Sequence, residues 1–228
     1  MNGALFETRP GWASETLGAG TTLLRGFAAG DAPALMAEIE QISTQAPWRQ
    51  MITPSGHRMS VAMTNCGALG WISDRAGYRY VSCDPQSGRP WPPMPRLFQQ
   101  LAQAAAARAG FPDFQPDAGL INRYGPAARM SLHRDQDERD LTAPIVSVSL
   151  GLPAVFLWGG LKRQEPTQRI LLEHGDVVVW GGPDRRRYPD FRYSHPLGTN
   201  LHGVHLPKCS QVADCSLSHA AKGAVVPT

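Results

Sequence analysis

The stretch "PIVSVSLGLPAVFLWGG", residues 144–160, with "RILLEHGDVVVWGG", residues 169–182, decides the fold class. Both are runs of β-branched and aromatic residues cut into short pieces by Gly, Pro and His-Gly turns. Upstream, "AGLINRYG", residues 118–125, has the same character. Together they predict closely spaced strands with no helices between them, the pattern of a sandwich or jelly roll. Before residue 117 the chain reads as helical. "DAPALMAEIEQI", residues 31–42, offers Asp31 as N-cap, Pro33 in the first turn and Leu35, Ile39 and Ile42 on one face. "MPRLFQQLAQAAAARAG", residues 94–110, repeats the logic with Leu97, Leu101 and Ala105, with Arg108 in the last turn and Gly110 just past it.

The chain has 228 residues, 42% of them apolar, which is enough for one domain burying roughly 70% of its unfolded surface. The start, "MNGALFETRP", has neither a basic n-region nor an apolar h-region, and no window approaches a membrane span. A cytoplasmic protein with no membrane association is expected. Cys66, Cys83, Cys209 and Cys215 show no C-x-x-C spacing, which argues against structural zinc and a disulfide scaffold and predicts reduced thiols. A formal charge of +3 permits a polyanionic partner without requiring one.

Chemistry concentrates in "SLHRDQDERDL", residues 131–141. On a strand, His133 and Asp135 would point to the same face, an imidazole beside a carboxylate, which suits a divalent metal. Two histidines and one carboxylate with open positions are the set expected for non-haem Fe(II). So charged a run is also the ordinary composition of a solvated loop, and spacing alone leaves both readings open.

Longer motifs surround that pair. "RQMITPSGHRMSVAMTNCGALGW" (49–71), "DAGLINRYGPAARMSLHRDQDE" (117–138), "PIVSVSLGLPAVFLWGGLKR" (144–163) and "LLEHGDVVVWGG" (171–182) resemble the AlkB family of Fe(II)- and 2-oxoglutarate-dependent nucleic-acid dealkylases, its bacterial members in particular. The resemblance runs from about Thr22 to Gly182. It implies an α+β chain: a double-stranded β-helix (jelly-roll) core with N-terminal helices and a nucleotide-recognition lid. In a single domain over 1–228, residues 22–115 would be the helical and lid part, 116–182 the β-helix core and 189–228 an atypical tail. His133 and Asp135 become iron ligands and catalytic residues, and Asn122 and Tyr124 become contacts to 2-oxoglutarate. Met63, Trp71, Tyr78, Asp137, Glu138 and Arg163 would line the pocket of the damaged base, with Arg75 and Arg79 placed to meet phosphates. The implied activity is oxidative demethylation of N-alkylated bases in DNA or RNA, single-stranded or with the base flipped out, by a monomer using Fe(II), 2-oxoglutarate and O2. A base stacked on an aromatic ring gains about 1–3 kcal/mol, and an N-alkylated, cationic base gains further from a π-face and a nearby carboxylate.

The resemblance breaks after "VWGGPDRRRY". An ungapped reading puts Pro189 and Asp190 where the family carries a ligating His-Gly, and no arginine follows Arg192 although the family ends in an Arg-x-Asn-x-Thr-x-Arg strand that clamps 2-oxoglutarate. Lys208 and Lys222 cannot reproduce a planar, bidentate grip. An insertion would make His202-Gly203 the displaced pair, with His195 and His205 less attractive because no glycine follows either. A shifted reading frame near Tyr188 would instead leave the tail outside the fold, with no final strand, and the abrupt end of similarity favours that reading. Alongside the active enzyme stand two other readings: a catalytically impaired nucleic-acid-binding homologue lacking the arginine clamp, and a defective translation product.

Overall fold

The computed structural model describes residues 13–126, 128–130, 133–193 and 201–209. Helix α1, Ala32–Gln45, buries Ala32, Leu35, Ile39 and Ile42 along one stripe, as the spacing predicts, although Asp31 makes no side-chain capping bond. Helix α2, Arg96–Arg108, buries Phe98, Leu101, Ala102, Ala105 and Ala106. Phe98 takes the core position expected for Leu97, which is only partly buried. Gly110 has φ +92°, the left-handed conformation that ends the helix where a Cβ would be strained.

Twelve strands are formed among the described residues. The part expected to be helical also contains β1 (Ser14–Gly18), β2 (Thr21–Leu24), β3 (Ala62–Gly67), β4 (Gly70–Asp74) and β5 (Gly77–Val81). The core adds β6 (Ala118–Tyr124), β7 (Ile145–Leu150), β8 (Ala154–Trp158), β9 (Gln168–Leu172), β10 (Val177–Trp180), β11 (Pro189–Tyr193) and β12 (Leu201–Leu206). An antiparallel seven-stranded sheet runs in the order β1-β2-β10-β7-β12-β6-β3, and a three-stranded sheet runs β11-β8-β9. Strands β4 and β5 form a separate hairpin.

Two cores follow from the alternation of side chains along these strands. Val146, Val148, Val177, Val179, Val204 and Leu206 face α1 and α2. Leu23, Met63, Tyr124, Ile145, Val178 and Trp180 face Phe156, Trp158, Ile170 and Leu172 of the smaller sheet. Because β7 and β10 are covered on both faces, both are buried throughout despite antiparallel pairing; β10 is wholly apolar, whereas β7 turns Ser147 and Ser149 to the inner face. The two facing sheets accord with the jelly roll expected.

The tail departs from expectation. β12 lies between β6 and β7, pairing Gly203 with Asn122 on one side and with Ser149 on the other. β11 closes the smaller sheet against β8, pairing Phe191 with Phe156. Residues 189–193 and 201–206 are therefore part of the fold. The reason is physical: without β12 the facing edges of β6 and β7 would leave backbone donors and acceptors unpaired in the interior. "LHGVHL" places Val204 and Leu206, two apart, on one face and has no proline, which suffices for a buried strand.

Cys66 and Cys209 are free and buried; Cys83 is disulfide-bonded, against the expectation of reduced thiols. Among the described residues no helix is long and apolar enough to cross a membrane. If β12 is structural, Leu206→Ala, which empties a fully buried site, lowers stability by about 2–5 kcal/mol. Urea unfolding reads this as a lower midpoint with an unchanged slope, whereas an unchanged midpoint would place β12 outside the cooperative fold.

Candidate active site

Strand pairing brings a polar row onto the inner face of the large sheet. Asn122 of β6 stands opposite Gly203 of β12 and Met63 of β3. Tyr124 stands opposite Leu201, and His205 stands opposite Leu120 and Ser147. Met63, Asn122, Tyr124, Ser147 and His205 point toward the smaller sheet, because directly opposed residues share a face and Met63 and Tyr124 pack there. Both amide atoms of Asn122, Ser147 Oγ and the indole nitrogens of Trp158 and Trp180 are buried without a hydrogen-bond partner among the described residues. Leaving such a group unsatisfied costs about 1–3 kcal/mol. The set therefore fits a guest rich in oxygen acceptors and donors, such as a 2-oxo-dicarboxylate.

His133 and Asp135 come from the connection between β6 and β7, which is irregular here and not the strand that the His-x-Asp spacing suggests. The backbone N–H of His133 donates to the Pro189 carbonyl at 3.2 Å, and its Nε2 lies 3.4 Å from Asp135 Oδ1. Burial pushes the Asp135 carboxyl up, but His133, His205 and Arg185 outweigh it and hold the group below the usual carboxylate range. His205 is pushed down to about 4 by burial, with Asp135 opposing and His133 adding to the shift. Its ring meets Trp180 edge-on at 6.4 Å. Among the described residues no three His, Cys, Asp or Glu side chains are gathered closely enough to hold a metal. The pair with His205 in its electrostatic reach is the nearest approach to such a set.

His202, the sequence choice for the third ligand, is on the other face. Three positions from His205 on a strand is an odd step, so the two side chains point oppositely. The His202 ring packs at 5.7 Å from Trp48, beside Arg123, whose guanidinium lies 4.6 Å over the same indole. Met36, Ile39, Glu40 and Ser43 complete that pocket, on the helix side of the sheet. The His-Gly motif favoured His202; strand parity removes it from the pair. His195 lies outside the described residues.

The β4–β5 hairpin carries the aromatic pair. Trp71 and Tyr78 stack with centroids 5.7 Å apart and 12° between planes. Tyr78 is exposed and Trp71 half-buried, so the stack offers an accessible π-surface. Trp71 Nε1 donates to Asp137 Oδ2 at 2.9 Å, and the Tyr80 hydroxyl donates to Glu138 Oε1 at 2.8 Å. The hairpin is thus tied to the loop bearing His133 and Asp135. Glu138 is buried against Arg185, and burial, with the Asp135 carboxylate, holds it above its usual range despite Arg185 and Tyr80. Met63 is buried beside Asn122, whereas Arg163 is exposed in the β8–β9 loop. Of the two hairpin arginines, Arg79 is paired with Asp74 at 2.7 Å and Arg75 is exposed. Sequence reading missed Tyr80 and Ser147, and it offered Arg185 only as one of several arginines that could replace the clamp on 2-oxoglutarate, whereas its donors go to the loop bearing His133 and Asp135. Only the tyrosine had a visible signal, its place two residues after Tyr78 in a strand.

The description "2OG-Fe(II) oxygenase superfamily" matches residues 20–197. The chain is 57% identical over 198 residues to the alpha-ketoglutarate-dependent dioxygenase AlkB of Escherichia coli (strain K12), covering 87% of this chain and 90% of that one. The chain belongs to the AlkB family of 2OG-Fe(II) oxygenases. It is thus an Fe(II)- and 2-oxoglutarate-dependent dioxygenase, the cofactor set being the family's. This AlkB-family chain is also 28% identical over 121 residues to the tRNA demethylase abh1 of Schizosaccharomyces pombe, covering 53% of this chain and 40% of that one. Its fold matches OsALKBH1 with a TM-score of 0.76 at 21% identity, over 86% of this chain and all (100%) of that chain.

The helix-side histidine makes stability pH-dependent. Burial, then Arg123, lowers His202 to about 4, against about 6.5 in the unfolded chain. Its neutral form is favoured in the fold, so its contribution is complete above pH 6.5 and is lost as pH falls toward 4. His202→Gln should flatten the fall in unfolding free energy over that window by at most about 1.4 kcal/mol per pH unit. Parallel urea titrations of the two proteins check this, and identical slopes would mean that the imidazole is solvated.

Proposed function

We propose that this oxygenase removes alkyl groups oxidatively from N-alkylated bases of DNA or RNA, with the base presented singly, from a single strand or flipped out of a duplex. The observation that carries this reading is the accessible Trp71–Tyr78 stack hydrogen-bonded, through Asp137, to the loop of His133 and Asp135. A π-platform and a chemically equipped loop are thereby held as one unit. The tRNA demethylase among the relatives supports the same substrate class, and the AlkB match supports the dioxygenase chemistry.

In this reading Trp71 and Tyr78 receive the base on their exposed ring faces. Asp137, half-committed to the Trp71 N–H, keeps a carboxylate at the platform's edge, where it favours a cationic alkylated base over a neutral one. Met63 closes the apolar side of the pocket, and Arg163 approaches from the β8–β9 loop. Opening a damaged pair costs less than opening a sound one, which adds selectivity before any contact is made. His133 and Asp135 hold Fe(II), with His205 as the third candidate in place of His202. Asn122 and Tyr124 hold 2-oxoglutarate, with the Ser147 hydroxyl on the same face two residues further along the sheet. When bound, the metal, 2-oxoglutarate and O2 supply the oxidising power. The protein excludes water and fixes which carbon is exposed to it. A monomer is sufficient, since every proposed contact comes from one chain.

Two measurements test this. His133→Ala and Asp135→Ala should each abolish 2-oxoglutarate-dependent release of formaldehyde from a methylated oligonucleotide while leaving the urea midpoint little changed, because these groups hold metal and pack little. Turnover surviving in either variant would remove the pair from the metal site. Trp71→Ala should weaken binding of a methylated single strand by about 1–3 kcal/mol at fixed salt; an unchanged dissociation constant would return the indole to a purely structural part.

A further inference from the structure

Residues 133–143 form neither helix nor strand, yet they carry His133, Asp135 and Asp137. One side chain from elsewhere grips this segment at three points. Arg185 is only 2% exposed. Its Nε donates to the Ala143 carbonyl at 3.1 Å, its Nη1 to the Asp135 carbonyl at 2.6 Å and its Nη2 to Glu138 Oε2 at 2.9 Å. The other oxygen of Glu138 accepts from Tyr80 of the hairpin.

Arg185 is itself held to the large sheet. It follows the 3-10 turn Gly182–Asp184 at the end of β10. Within that turn Asp184 accepts from the Gly20 N–H and the Thr21 hydroxyl, each at 2.8 Å. The guanidinium therefore transmits the position of a rigid, fully paired strand to an irregular loop.

We propose that Arg185 is the positioning residue of the metal pair: by holding the main chain at Asp135 and Ala143 and the carboxylate of Glu138, it fixes where the His133 and Asp135 side chains stand. This rests on the assignment of that pair to the metal. A planar guanidinium reaches these acceptors through three separate nitrogens; an ammonium has three donors too, but all on one nitrogen, and does not span the same positions. Partners that orient a ligand are worth about 10–100-fold in metal affinity when removed.

The test is a cobalt(II) titration of the full chain, without nucleic acid or 2-oxoglutarate, in four proteins: wild type, His133→Ala, Arg185→Lys, and the double variant Arg185→Met with Glu138→Gln. Arg185→Lys keeps the charge against Glu138. The double variant removes both charges together, so no unpaired buried charge is left to unfold the chain. Both Arg185 proteins should retain the far-ultraviolet spectrum of the fold and bind cobalt about 10–100-fold more weakly. Wild-type affinity in either folded variant would overturn the proposal. Cobalt binding by wild type that His133→Ala leaves untouched would instead overturn the metal pair, and with it this inference.

Discussion

β12 is hydrogen-bonded along both edges, to β6 from Leu201↔Tyr124 through His205↔Leu120 and to β7 from His202↔Leu150 through Leu206↔Val146. The inner face of the large sheet depends on that double ladder. Asn122 and Ser147 belong to strands that touch only through β12, so their separation is set by two inter-strand spacings of roughly 4.8 Å each and by the two-residue offset between Ser147 and Ser149, the residue level with Asn122 across Gly203. The same ladder fixes the direction of every β12 side chain. A slip of one residue would turn His205 toward the helices and bring His202 inward.

The two faces of this sheet do different work. Toward α1 and α2 it is dry and close-packed, with Leu35, Ile39, Phe98, Leu101, Val148, Val179 and Val204 nearly free of solvent. Toward the smaller sheet, apolar bulk from Trp158, Trp180 and Phe156 is mixed with buried polar atoms that find no partner in the protein. Each of those atoms costs stability in the free protein, and the helix-side core is what offsets them. A site that must accept a charged, oxygen-rich co-substrate has to leave hydrogen-bonding capacity unused until the ligand arrives. The conflict between local satisfaction and function is concentrated on the inner face, although His202 Nδ1 on the helix side is also buried without a partner among the described residues.

That division explains what was legible in the chain. α1 and α2 could be read because each buries one stripe at helical spacing, and the choice of Leu97 over Phe98 was a one-residue error in placing it. The strands from 118 to 182 could be read from their β-branched runs, whereas only the long motifs, and no periodicity, put His133, Asp135, Asn122, Tyr124 and Trp71 forward as site residues. β1 to β5 were hidden because they are short and carry polar residues, buried in β2, β3 and β4 and half-exposed in β1 and β5. β12 was hidden for a different reason. The signal sought was a pattern of arginines, whereas a strand between two ladders needs only alternation and freedom from proline. Choosing His202 by its glycine neighbour weighed a motif above strand parity, and parity is the stronger physical constraint.

The loop from 133 to 143 shows why regular structure is not the only way to hold a site. A strand there would fix His133 and Asp135 on one face, but its edges would need partners, and Asp137 could not at the same time reach the Trp71 indole. An irregular segment frees the side chains to diverge, at the cost of leaving its carbonyls without a ladder. A buried arginine resolves this by bringing several donors into a space where a strand would bring a whole chain. Its charge then requires Glu138, and the second oxygen of Glu138 requires a donor, which Tyr80 provides. Burying one cation thus leads step by step to the hairpin that carries the Trp71–Tyr78 stack, so the contact that orders the loop also sets where the aromatic platform stands relative to it.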